Sequence, residues 1–88
     1  MDIFVTSQFK KDVKNAKKRG KDSEKLKEVM SLIEKGHLLP PKYRNHRLLG
    51  NYKDCWECHI EPDWLLIYKK DKSSLTYIRT CSHSDLMR

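Results

Sequence analysis

An α+β fold, a two-helix antiparallel hairpin packed on a twisted antiparallel sheet, follows from three features of the chain. Apolar residues recur at helical spacing between Phe9 and Ile33, the composition turns to β character from Tyr52 onward, and the connections in that second half are short enough to require antiparallel neighbours. With 88 residues the chain makes one domain, residues 1–88, because a chain this short buries only about 60–65% of its unfolded surface and supports one core.

Ile3, Phe4 and Val5 form a short N-terminal strand. Thr6 or Ser7 then offers a side-chain oxygen to the free amides of a first helix, whose narrow apolar stripe is Phe9, Val13 and Ala16. Lys10, Lys11, Lys14, Lys17, Lys18 and Arg19 fill the rest of that helix surface, and Gly20 ends it. Asp22 or Ser23 caps a second helix with Leu26, Val29, Met30 and Ile33 on one face, and Gly36 suits the left-handed terminal conformation. Pro40 and Pro41 exclude further helix, so residues 37–52 are expected to form an ordered loop. Residues 54–60, 64–70 and 74–80 are the expected strands. Trp64 to Tyr68 shows no polar alternation and belongs in the middle, with apolar neighbours on both faces, and the hairpin must cover one of them.

Lys and Arg outnumber Asp and Glu by 19 to 12, and the pI is near 9.4, which points to a polyanionic partner. The longest apolar run is far shorter than the roughly 20 residues of a spanning helix, and no signal peptide is evident, so a soluble cytoplasmic protein is expected. Three cysteines in such a chain suit reduced thiols rather than a disulfide framework.

Strand alternation puts Cys55, Glu57 and His59 on one face and Trp56, Cys58 and Ile60 on the other. The same rule groups Leu75, Tyr77 and Arg79 against Thr76, Ile78 and Thr80. Asp63 lies at the hairpin close to His59, where a carboxylate can fix an imidazole tautomer. His37 reads as an ordinary surface residue. Cys55, Cys58, Cys81 and His83 superficially supply a zinc set, but positions i and i+3 of a strand project to opposite faces, and no metal or cofactor is expected. Residues 9–21 hold seven bases and one acid, enough to steer toward phosphates.

The segments Leu39 to His46, Leu49-Gly50, Glu57 to Tyr68, Arg79-Thr80 and Ser82 to Leu86 occur in an order that closely resembles YafQ-type toxins of the RelE/ParE superfamily. That resemblance implies a RelE-like microbial ribonuclease fold, the toxin role in a type II toxin–antitoxin pair, and ribosome-dependent cleavage of mRNA in the A site. It carries the catalytic set onto His46, His59, Asp63, Arg79 and His83, and implies a cognate antitoxin and a hetero-oligomeric complex. The RNA contacts expected are Lys53, Met87, Lys10, Lys14, Lys17 and Lys18. Three positions depart from the family pattern: Met87 stands where Phe is common, Trp56 replaces an arginine before Glu57-Cys58-His59, and Cys81 stands where glycine is usual.

The chemistry these groups suit is attack of a ribose 2′-hydroxyl on the adjacent phosphate, with Arg79 on the phosphate and His46, His59 and His83 moving or orienting protons. Which histidine is base and which is acid is left open by the sequence, with Asp63 holding or assisting His59. Two rivals are a ParE-like protein that inhibits gyrase by contact alone, and a small basic RNA-binding or ribosome-associated module; neither needs the histidines.

Overall fold

The structure, a computed structural model, describes residues 1–48, 50–52 and 54–86, so the expectations placed on Leu49, Lys53 and Met87 lie outside the described residues. Its elements are β1 (Asp2–Val5), α1 (Ser7–Lys18), α2 (Ser23–Glu34), β2 (His46–Arg47), β3 (Trp56–Glu61), β4 (Trp64–Lys70), β5 (Ser74–Cys81) and a short α3 (His83–Leu86), with single 3₁₀ turns at Pro41–Tyr43 and Gly50–Tyr52. The five strands form one sheet in the order β1-β5-β4-β3-β2. β2, β3, β4 and β5 are antiparallel neighbours, while β1 joins the edge of β5 in parallel, which makes the sheet mixed. The parallel strand is the one whose connection to its neighbour is long, since both helices and three strands intervene.

Both helices start where a side chain can take their free amides: Thr6 Oγ1 accepts from the amide of Phe9 at 2.9 Å and Asp22 Oδ1 from that of Glu24 at 2.9 Å. Gly36, at φ +73°, turns the chain out of α2. The apolar residues of the two helices meet one face of the sheet, where Phe9, Leu26, Val29 and Ile33 form one cluster with Cys58, Ile60, Trp64, Leu66, Tyr68, Leu75 and Tyr77. The Phe9 and Tyr77 rings stack at 5.5 Å. β4 is the central strand, and Trp64 to Tyr68 are all buried, with Leu65 and Ile67 fully so on the face away from the helices.

Two irregularities set which side chains reach that second face. Between Ile67 and Tyr68 the β4–β5 register slips, so Tyr68 pairs with Tyr77 but Ile67 pairs with Arg79. The residue left over, Ile78, reverses the phase of everything after it. Arg79 therefore does not share the face of Leu75 and Tyr77 as plain alternation predicts. Thr80 is turned toward the helices instead, where its hydroxyl accepts from Trp64 Nε1 at 2.9 Å and donates to the Leu65 carbonyl at 2.9 Å. A second slip lies between His59 and Glu61.

The segment expected as loop carries β2. After the turn at Pro41–Tyr43, Arg44 adopts a left-handed conformation, φ 48°, that redirects the chain so that His46 pairs with Glu57 and Arg47 with Trp56. Asn45 anchors this bend by accepting from the Tyr68 hydroxyl at 2.8 Å. At the other end of the sheet, β1 is the outermost strand, with Ile3, Phe4 and Val5 exposed. Among the described residues no helix is long and apolar enough to cross a membrane.

Candidate active site

Three of the four histidines gather on the face of the sheet away from the helices. β2 supplies His46, β3 supplies His59, and the start of α3 supplies His83. The His46 and His59 rings are 6.2 Å apart and the His59 and His83 rings 5.5 Å, so His59 is the middle of a row. It is also the most enclosed: its side chain is 13% exposed, against 49% for His46 and 50% for His83. His37 is exposed on the surface.

Each end of the row has a carboxylate. Glu57, buried beneath it, brings Oε1 to 3.3 Å from His46 Nε2 and 3.4 Å from His59 Nε2. Asp63 Oδ1 takes the backbone amide of His83 at 3.1 Å and its Nδ1 at 3.0 Å. Asp63 therefore orients His83 rather than His59, the pairing expected from sequence proximity, because the tight turn after β3 lifts residue 63 toward the start of α3. These two bonds, the backbone one first, hold the Asp63 carboxyl below its ordinary range. The other ring nitrogen of His59, Nδ1, faces the Pro62 carbonyl at 3.4 Å. Glu57 was not singled out from the sequence as part of the set, although its parity with His59 was the signal that could have found it.

Arg79 makes no part of the imidazole row. Its Nε and Nη2 each lie 3.1 Å from an oxygen of Asp12 on α1, and that hydrogen bonding raises its pKa further above the usual guanidinium range. It faces a cleft of about 460 Å³ whose walls include Asp12, Arg19, Asp63, Arg79 and Ser82. None of the three imidazoles lines this cleft, and the link to the row is Asp63, which borders it and holds His83. A second cleft, of about 400 Å³, is lined by His59 itself together with Lys25, Lys42, Arg44 and Pro62. Lys10, Lys14, Lys17 and Lys18 are exposed on α1, but the residues of that helix that line the first cleft are Gln8, Asp12, Asn15 and Ala16, joined by Arg19 just past its end.

Burial pushes the Cys58 thiol up to about 12 and the Cys81 thiol up to about 11. Cys58 pairs with Leu66 on the helix side and Cys81 with Leu65 on the other, so the cysteines and His83 do not surround a common point. His46, Glu57 and His59 do: one ligand atom from each lies within 4.8 Å of the others, a spacing able to hold a metal ion. Of the positions that depart from the family pattern, Trp56 lies 5.7 Å beneath the guanidinium of Arg47, which puts a cation beside it from a neighbouring strand. Cys81 is a buried strand residue rather than a turn.

The family model for the bacterial YafQ toxin of type II toxin–antitoxin systems matches residues 1–88. The mRNA interferase toxin YafQ of Escherichia coli K12 is 45% identical over 86 residues, spanning 97% of this chain and 94% of that protein. The crystal structure of YafQ from E. coli BL21(DE3) superposes with a TM-score of 0.95 at 43% identity, covering 99% of this chain and 98% of the other. The toxin in the crystal structure of the E. coli DinJ–YafQ toxin–antitoxin complex superposes with a TM-score of 0.92 at 43% identity, covering 99% and 97%.

Proposed function

The chain belongs to the bacterial YafQ family and is a type II toxin and mRNA interferase, and from that premise we propose that residues 1–88 act as one domain that cuts mRNA on the ribosome, in the cytoplasm, by 2′-hydroxyl attack on the neighbouring phosphate. Its protein partner is a cognate antitoxin, as DinJ is for the E. coli toxin. The observation that carries the chemical reading is the row of three imidazoles, 6.2 and 5.5 Å apart, with a carboxylate at each end. In-line displacement at phosphorus needs a base on one side and an acid on the other, and adjacent imidazoles provide both near neutral pH.

The hydrogen bonds support a division of labour. Asp63 accepts from Nδ1 of His83, which leaves Nε2 of that ring with its lone pair toward solvent, the arrangement of a general base for the 2′-hydroxyl. His59 has an oxygen facing each ring nitrogen, Pro62 O at Nδ1 and Glu57 Oε1 at Nε2, each at 3.4 Å. It serves as the acid that protonates the departing 5′-oxygen. His46 shares Glu57 with His59 and helps to hold it. Arg79 lies across the first cleft for the charge that develops on the phosphoryl oxygens, and Lys10, Lys14, Lys17, Lys18, Lys53 and Met87 are read as RNA contacts outside the reacting groups. Cleavage yields a 2′,3′-cyclic phosphate and a 5′-hydroxyl.

The test uses translated messages with a single changed linkage at the cut. Deoxyribose on the 5′ side should abolish cleavage, and retained cleavage would remove the mechanism. A bridging 5′-sulfur, which leaves without an acid, should restore much of the rate lost in His59→Ala and little of that lost in His83→Ala; the reverse pattern would exchange the two roles.

A further inference from the structure

Asp12 is the lone acid in a stretch of α1 and its following turn, residues 9–21, that carries seven bases, and it is 4% exposed. A carboxylate so buried requires partners, and this one has four donors. Oδ1 takes Arg79 Nη2 at 3.1 Å and Gln8 Nε2 at 3.0 Å; Oδ2 takes Arg79 Nε at 3.1 Å and the amide of Thr80 at 3.1 Å. We propose that Asp12 is a positioning residue for RNA cleavage: it pins the Arg79 guanidinium to the wall of the cleft that Asp63 borders, so that the cation meets a phosphodiester lying against His83. This rests on the ribonuclease reading above.

The fold explains why the task falls to α1. β1 is paired with β5 as far as Val5 and Tyr77, and Thr6 then donates its amide to the Tyr77 carbonyl at 3.1 Å and its hydroxyl to the Ile78 carbonyl at 2.7 Å, so the strand leaves the edge of β5 open only from Arg79 onward. Asp12 occupies the opening, one turn of helix past Phe9, whose ring is stacked on Tyr77. The extra residue at Ile78 has already turned Arg79 away from the helix-covered face. A free arginine has many rotamers, and a fork held at two nitrogens has surrendered that freedom before RNA arrives. Nη1 and the second proton of Nη2 lie outside the Asp12 clamp, where the guanidinium has the Tyr52 side chain as a further hydrogen-bond partner and donors left over for phosphate oxygens. Because the carboxylate also offsets the charge it holds, its contribution is aim rather than field.

A mere tie between α1 and β5 would have different consequences, and a double-mutant cycle separates the two. Arg79→Ala should lower kcat about 10²-fold or more, in the range for removing a single donor to developing negative charge. Asp12→Asn, which turns an amide donor against the guanidinium, should lower kcat roughly 10-fold or more at a KM within about twofold, with the wild-type pH profile because the imidazoles are untouched. The double variant should be no slower than Arg79→Ala alone. Fully additive losses would overturn the proposal. Should Asp12→Asn fail to fold, Asp12→Glu keeps the charge pair and displaces it by one methylene; a lowered kcat at unchanged Tm supports positioning, and wild-type kcat refutes it. A wild-type protein that cuts no message sinks the ribonuclease reading itself, whereas an active wild type with an additive cycle sinks only the role of Asp12.

Discussion

The two faces of β3, β4 and β5 are built from alternate residues of the same strands yet do different work. Toward the helices lie Cys58, Ile60, Trp64, Leu66, Tyr68 and Tyr77, an apolar layer joined to α1 and α2. Away from them lie Glu57, His59 and Arg79 around a buried pair, Leu65 and Ile67. One face supplies most of the cohesion and the other the chemistry, so a substitution should damage either stability or activity according to the parity of its position. At Ile78 the parity inverts, and there the rule must be applied with the extra residue counted.

The sharpest division should come from the imidazoles. His59→Ala or His83→Ala should lower mRNA cleavage by about 10²- to 10⁴-fold, the usual contribution of a proton-transfer group, while thermal unfolding stays near that of the wild type. A matching fall in Tm would mean that the second face is also structural.

On the opposite face, Leu66→Ala removes a fully buried side chain from the centre of the sheet. Denaturant unfolding should show a loss of about 2–5 kcal/mol, with kcat of the folded fraction intact. Thr80→Val tests the inverted parity. It takes the acceptor from Trp64 Nε1 in a buried position and should cost about 1–3 kcal/mol, although plain alternation would have put residue 80 on the face of the histidines.

The smallest expected effect is a titration. Because its folded-state value is depressed, the contribution of Asp63 is complete above the ordinary aspartate range near 3.8 and is lost as pH falls through the lower folded value. Its carboxyl carbon, followed by NMR, should titrate below 3.8, and replacing His83 with Ala should move the midpoint upward, leaving the backbone bond and the Lys21 charge. A midpoint at or above 3.8 would remove Asp63 as the holder of His83.

Periodicity made the helix-covered face legible before any coordinates. Phe9, Val13 and Ala16, then Leu26, Val29 and Ile33, announced two stripes, and the unbroken Trp64 to Tyr68 announced the central strand. The histidine face was readable only in part. Glu57 and His59 were correctly grouped by alternation, and the family likeness brought in His46, but the partner of Asp63 depended on where a hairpin turn delivers its carboxylate. The orientation of Arg79 depended on one unpaired strand residue, which composition does not mark. The two-residue β2 was hidden for a similar reason, since its pairing comes from β3 and a left-handed Arg44 rather than from its own sequence. β1 was legible as a strand, but its parallel direction comes from the long route the chain takes back to β5.

That outermost strand has a practical consequence. Ile3, Phe4 and Val5 are 47%, 54% and 40% exposed on a sheet margin that no other described strand covers. Such a margin accepts any extended apolar peptide through main-chain bonds, so crowded preparations of the isolated chain will tend to clump there, and a lysine introduced at Phe4 should keep them clear.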